Sequence, residues 1–416
     1  MRATIALVVP LMTALCAAPA QAQQTSSNPI NVKIGVLSDM SGLYADIGGP
    51  GSVVAAKMAV EDFKPDSHHM KVEIVSADHQ NKPDIGSSIA RRWFDTEQVN
   101  AIADVPNSGV ALAVANVTRE KNGVFLISGA ADSDLTDKQC SPNNVHWAYD
   151  TWALAHGTGG AIVRQGGKTW FFITADYAFG HALERDTGAV VQAAGGKVLG
   201  AVRAPLNTAD FSSYLLQAQG SKAQVIGLAN AGGDTINSVK QAAEFGIVKG
   251  GQRLAGLLVF LTDVHALGLQ TAQGLTLTTA FYWDLNDKTR AFAKRFAAQN
   301  DGKYPTMVQA GVYSSVLHYL EGVAKTGSAT DGAKVVEAMK STHYDDPLFG
   351  ETTVRQDGRA VHDMYLVEVK KPSESKGPYD YFKVLATIPA DQAFRPLADE
   401  KGTCGLVKSA ALTGTK

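Results

Sequence analysis

Val32-Lys33-Ile34-Gly35-Val36-Leu37, then a glycine-rich loop, then Val53-Val54-Ala55-Ala56-Lys57-Met58-Ala59-Val60: this stretch decides the fold. The first run is short and β-branched, as a buried strand requires, and the alanines of the second favour helix. Strand, loop and helix in that order form the repeating unit of a parallel sheet covered by helices. The unit recurs, with strands expected at Val72–Ser76, Ala101–Ala103 and Val124–Ile127 and helices at Asp84–Asp95 and Ser108–Lys121.

After an extended segment at Val145–Tyr149 the rhythm starts again. Helix Trp152–Gln165 leads to strand Trp170–Thr174, and further strands are expected at Val198–Val202, Val225–Leu228, Leu254–Leu261 and Leu275–Thr279. From Asn286 to Met339 the pattern is wholly helical, so those helices must pack on a sheet already built. The last strands, Met364–Val369 and Tyr381–Thr387, are expected to join the second unit, with Asp357-Gly358 as a turn. The fold class is therefore α/β, with two doubly wound three-layer lobes joined by a multi-strand hinge. Residues 28–148 with 284–342 are expected to form the N-terminal lobe, 149–283 with 343–390 the C-terminal lobe, and 391–416 a tail. So long a chain exceeds what one hydrophobic core supports, which agrees with two domains.

Arg2 precedes an apolar run from Ile5 to Ala18 and then Ala20-Gln21-Ala22, the order of a cleavable signal peptide over residues 1–22. The run falls short of the roughly 20 residues that span a bilayer, so the chain is expected to be exported to the periplasm. Its 38 Lys and Arg against 40 Asp and Glu make no basic face for nucleic acid or an anionic membrane surface. Cys140 and Cys404 follow the signal segment. An even number of cysteines in an oxidising compartment predicts a disulfide, the alternative being two free thiols. Neither cysteine has metal or redox spacing, no cofactor is implied, and a monomer is expected.

In open parallel sheets a ligand lies beyond the carboxyl ends of the strands, where N–H groups and helix N-termini converge. The loop Ser38 to Gly51 follows the first strand, and its Tyr44 either walls the cleft or fills the core. It lacks the Gly-Lys-Ser/Thr of a P-loop and the G-x-G-x-x-G spacing of a dinucleotide site. After the third strand, Asn107 and Ser108 open a helix and can cap it, receive a carboxylate, or both. Ala130, Ala131 and Asp132, after the fourth, let a ligand reach the backbone. In the second unit, Tyr177 and Phe179 start a helix after a strand. Asn230 lies in a further rim loop, and Asp263 can pair with a ligand ammonium or cap the short helix that follows it. Tyr282, at the crossing between lobes, lines the cleft or packs the hinge.

These loops, in this order, resemble the branched-chain amino acid type of periplasmic binding protein, with the type I fold, that serves bacterial ABC importers. The most specific pieces are Val32–Leu37 running into Ser41-Gly42, and Asp176-Tyr177-Ala178-Phe179-Gly180. The resemblance implies a ligand carboxylate held at Ser108, Ala130 and Ala131 with Asn107 and Asp132 beside them, Tyr177 as an aromatic cover, and Asp263 for an amino group. It also implies a small-molecule ligand and a membrane permease as partners. The chain departs in Asp39-Met40 and in Ala130-Ala131-Asp132, where amino acid binders often carry threonine, so aromatic acids, amides and urea stand beside amino acids as ligands. A ligand sensor of the same fold is the alternative function. No H-E-x-x-H, G-x-S-x-G or cysteine cluster marks an enzyme. Ser373-Glu374-Ser375-Lys376 matches S-x-x-K without its companion motifs, and His68-His69 lacks a third metal ligand.

Overall fold

In the computed structural model, which describes residues 28–400 and 403–407, the chain opens with a parallel sheet. The expected signal peptide lies outside the described residues. Strands β1 (Ile30–Ser38), β2 (Met70–Asp78), β3 (Ala101–Asp104), β4 (Val124–Ile127) and β5 (Asn144–His146) stand in the order β2-β1-β3-β4-β5. The fifth strand comes from the segment expected only to be extended: Asn144, Val145 and His146 pair with Phe125, Leu126 and Ile127. Alternation along β1 sorts its side chains. Val32, Ile34 and Val36 join the core beneath α1 (Gly49–Phe63), whereas Leu37 packs with α2 (Pro83–Thr96) and α3 (Ser108–Glu120) on the other face. Gly35 is needed because the Trp93 indole lies on it: a Cβ there would sit 2.3 Å from the ring.

From β5 the chain crosses into α4 (Thr151–Leu154), which runs through a π turn into α5 (Gly160–Arg164). The second parallel sheet holds β6 (Thr169–Ala175), β7 (Lys197–Ala204), β8 (Val225–Ala229) and β9 (Arg253–Gly256) in the order β7-β6-β8-β9, with α6 (Ala178–Ala193), α7 (Ser212–Gly220) and α8 (Gly233–Glu244) between them. The strand expected at Leu254–Leu261 stops at Gly256. Leu257 to Phe260 are buried in a loop facing the other lobe, and an apolar run alone does not distinguish such a loop from a strand. Short helices α9 (Leu261–Leu267) and α10 (Leu269–Ala272) follow.

Strand β10 (Thr276–Thr279) is not part of that sheet. The three helices α11 (Asp287–Gln299), α12 (Met307–Thr326) and α13 (Gly332–Lys340) return to the first sheet, α12 against α1, β3 and β4. Next, β11 (His343–Asp346), β12 (Gly350–Val354) and β13 (Ala360–Val361) make a small antiparallel sheet. Residues 343–390 were expected to stay together in the second lobe, yet this sheet lies on α12, with the Tyr344 and His318 ring centroids 3.7 Å apart. The final strands β14 (Met364–Val369) and β15 (Phe382–Ile388) pair antiparallel with β10. Through Leu277, Val367 and Phe382 they share the second core with Ile173 and Leu228, as a sheet of their own rather than an extension of the parallel one.

The hinge centres on a buried cation. Arg359 pairs with His146 by a β-bridge, and its guanidinium donates to the carbonyl oxygens of Trp147 and Tyr149 and to Asp150. The Phe394 ring, just past α14 (Ala390–Ala393), covers it at 4.4 Å. The tail is tied down by a disulfide between Cys140 and Cys404.

Candidate functional site

Both parallel sheets aim their carboxyl ends at one cavity. Tyr44, Ile47, Pro106, Gly129, Ala131 and Tyr149 wall it from the first lobe, and Tyr177, Phe179, Ala231, Leu258 and Phe260 from the second. The space between the walls is about 10 Å³, room for about one water. An organic guest can therefore enter only when the lobes part.

Each wall residue is held by identifiable bonds. The Tyr44 loop wraps the buried Asp39 carboxylate, which accepts from Gly42 N–H (2.7 Å), Tyr44 N–H (2.9 Å) and Asn81 Nδ2 (2.6 Å). From the other side, the N-terminus of α12 grips the loop: Thr306 Oγ1 donates to the Ile47 carbonyl and Gln309 Nε2 to that of Gly48. Tyr149 donates to the Gly129 carbonyl at 2.7 Å and meets Phe260 edge to face. Tyr177 occupies the N-cap position of α6 and brings its hydroxyl 2.6 Å from that of Tyr44. Burial first, and the neighbouring phenol second, push the Tyr44 pKa up, so the hydroxyl stays protonated.

A polar cradle lies against this wall. Ser108 is the first residue of α3, fully buried, and its Oγ accepts from the N–H groups of Ala131 and Asp132, each at 3.3 Å. Asn107 is the N-cap, with its side chain on Val110 N–H. Ser108 Oγ thus occupies both N–H groups, at the start of a turn beside a helix N-terminus, a place whose field favours a negative charge.

The other expected residues take supporting positions. The Ala130 carbonyl is bonded to His146 Nε2 at 2.8 Å. Asp132 Oδ1 accepts from Asp134 N–H, and Asp263 Oδ2 from Phe260 N–H at 2.9 Å, which fixes the Leu258–Phe260 wall. Asp263 thus sits inside the first turn of α9, not at its N-cap. Asn230 spends both ends of its amide on Ser238 and Thr235. Tyr282 lies away from the cavity, with its hydroxyl on the Tyr379 carbonyl and its ring on Phe382.

Asp104 escaped the sequence reading. It sits at the end of β3 with φ of 80°, followed by Val105 at 57°, a left-handed pair that non-glycine residues rarely adopt. One carboxyl oxygen accepts from Ser38 Oγ at 2.7 Å, and the other has no partner and lies against Gly129. Burial pushes its pKa up to about 6, and those of Asp132 and Asp263 up to about 7.

A sequence profile described as periplasmic binding protein matches residues 31–377. The chain belongs to the periplasmic binding protein family. This family member is 54% identical to a periplasmic binding protein from Burkholderia mallei, superposing with a TM-score of 0.87 over 91% of this chain and 99% of that one. It is 43% identical, with a TM-score of 0.80, to a branched chain amino acid ABC transporter periplasmic ligand-binding protein from Burkholderia xenovorans, covering 91% of this periplasmic binding protein and all of that one. Leu/Ile/Val-binding protein homolog 6 from Brucella melitensis is 29% identical over 367 residues, 86% of this chain and 91% of the relative. The branched-chain amino acid type expected from the loops is that of the Burkholderia xenovorans and Brucella melitensis relatives.

Proposed function

We propose that the chain is the periplasmic substrate-binding component of an ABC importer, which captures a small carboxylate between its lobes and hands it unchanged to a membrane permease. The observation that carries this reading is the juxtaposition of two unlike surfaces across one cavity. On the first-lobe side Ala131 lines the wall beside Tyr44 and Tyr149, with Ser108 behind it holding the N–H groups of Ala131 and Asp132, and on the second-lobe side Tyr177, Phe179 and Phe260 offer aromatic faces. A guest with a carboxylate head and an apolar or aromatic body satisfies both. Closure onto it is a shift in population, because the guest gains its second set of contacts only when the lobes meet. Aliphatic amino acids and aromatic acids share this chemistry. Among the described residues no charged side chain lines the walls: Asp104 stands behind Gly129, and Asp263 is already engaged with Phe260, which favours aromatic acids.

A thermal-shift screen of leucine, isoleucine, valine and phenylalanine against benzoate and hydroxybenzoates tests it, since binding to the folded state raises apparent stability. An aromatic acid is expected to raise the melting temperature, and Ser108→Ala to remove most of the effect. No shift with any of these compounds would overturn the carboxylate reading.

A further inference from the structure

Helix α6 faces both lobes. Tyr177 at its start looks into the cavity, and nine residues further on Asp186, only 6% exposed, turns toward the first lobe. Asp186 Oδ2 accepts from Thr151 Oγ1 at 2.6 Å and from Ser133 Oγ at 2.8 Å, and its Oδ1 accepts from Arg185 Nε at 2.8 Å. Ser133 directly follows Asp132 of the cradle, and its own N–H donates to Thr151 Oγ1. Two guanidiniums close the node from outside: Arg185 Nη2 at 2.9 Å and Arg395 Nη2 at 3.3 Å both donate to Ser133 Oγ. Arg395 belongs to the tail that the disulfide ties to Cys140, and its partner Asp137 lies on the same loop as Ser133.

The folding of α6 onto its own sheet does not need this node. That packing is supplied by buried Leu183 and Val191. A carboxylate so deeply buried is costly, and it is tolerated only where every partner is in place. Its partners are Ser133 of the cradle loop, Thr151 just after the interlobe crossing, and its own neighbour Arg185, while Arg395 of the tail reaches it through Ser133. The node therefore sits close to the crossing between lobes, and it holds the helix that carries the aromatic cover.

We propose that Asp186 is a positioning residue for ligand capture: by tying α6 to Ser133 and Thr151 it sets where Tyr177 meets Tyr44 and the cradle as the lobes close. This rests on the cleft being the site of capture.

The test uses the full mature chain without ligand. Spin labels go on cysteines introduced at Asn116 of α3 and Ala189 of α6, both exposed, and pulsed electron paramagnetic resonance reads the distance between them. The parent is expected to give one narrow distribution, and Asp186→Asn a distribution roughly twice as wide, because the tether that restricts the population is weakened. Should Asp186→Asn fail to fold, Ser133→Ala with Thr151→Val removes both hydroxyl donors and is expected to widen the distribution in the same way. Adding Tyr177→Phe to Asp186→Asn is expected to widen it no further. An unchanged distribution in the node variants overturns the proposal, as does additive widening with Tyr177→Phe. Since no ligand enters the measurement, its failure leaves the capture reading standing, and a barren ligand screen leaves this result standing.

Discussion

The phenol oxygens of Tyr44 and Tyr177 lie 2.6 Å apart although 133 positions separate them in the chain. One rides the loop after β1 and the other stands at the N-cap position of α6, so a single hydrogen bond spans the cleft between the lobes. Both rings line the cavity, so the bond closes the lobes against each other at the site itself.

Tyr177→Phe keeps the ring on Phe179 and deletes that bond. A neutral hydrogen bond contributes about 0.5–1.5 kcal/mol net, so affinity for the ligand found by the thermal screen should fall about 2- to 12-fold. Tyr177→Ala also removes the wall and should cost more, with the melting temperature little changed. Calorimetric titration of both variants reads this, and unchanged affinity in both removes Tyr177 from the site.

Gly232 carries φ of 58° and meets the opposite lobe. A Cβ there would stand 2.7 Å from the Leu43 carbonyl and 3.1 Å from the Tyr44 ring. Gly232→Ala should therefore obstruct closure while leaving each lobe folded. Solution scattering with saturating ligand is expected to show a larger radius of gyration than the parent; an equal radius would refute the steric argument.

Arg359 is fully buried, and its charge is answered by Asp150 and by the Trp147 and Tyr149 carbonyl oxygens of the segment after β5. Burial, the largest influence, lowers its pKa to about 10, still high enough to keep it charged. Arg359→Met strands the Asp150 carboxylate and should cost about 3–5 kcal/mol of stability. Arg359→Lys should recover only part, because an ammonium cannot reproduce the planar fork. Urea denaturation decides: a loss under about 1 kcal/mol in Arg359→Met, within the range of ordinary surface changes, contradicts a central role in the hinge.

His318 and Asp346 form a buried pair, Nε2 to Oδ2 at 2.7 Å. Burial works against the charged ring, but hydrogen bonds and charge from Asp346 and Glu321 outweigh it and hold the His318 pKa above its usual value. A group raised on folding stabilises most below its unfolded pKa, about 6.5, and loses that contribution as pH rises through the folded value. Asp346 is held low despite its burial, chiefly by His318, so its contribution is present above about pH 4 and disappears as pH falls through its folded value. The urea midpoint of the parent should thus decline from pH 6 toward pH 9, and His318→Asn should flatten that slope. Parallel slopes would rule the pair out as the source.

Periodicity exposed both parallel sheets because strands and helices are local: Val32, Ile34 and Val36 must share a face whatever surrounds them. The same locality placed Tyr44, Ala131, Tyr177 and Phe179 at strand ends, where the cavity is found. Tyr149, Leu258 and Phe260 were not legible, since an apolar residue at a cleft has the same signature as one in a core. Asp104 was hidden for another reason: a buried acid is indistinguishable from an exposed one until its neighbours are known.

Sequence alone determined the fold class, the two-lobe order and the loops that approach one another, because these depend on patterns within a few residues. Only the tertiary structure decided which side chains share the cavity, that Asp263 supports a wall through Phe260, and that β10, β14 and β15 make a sheet of their own. Most of those outcomes turn on contacts between residues dozens to hundreds of positions apart, and even the short Asp263–Phe260 bond is placed at the cavity by packing.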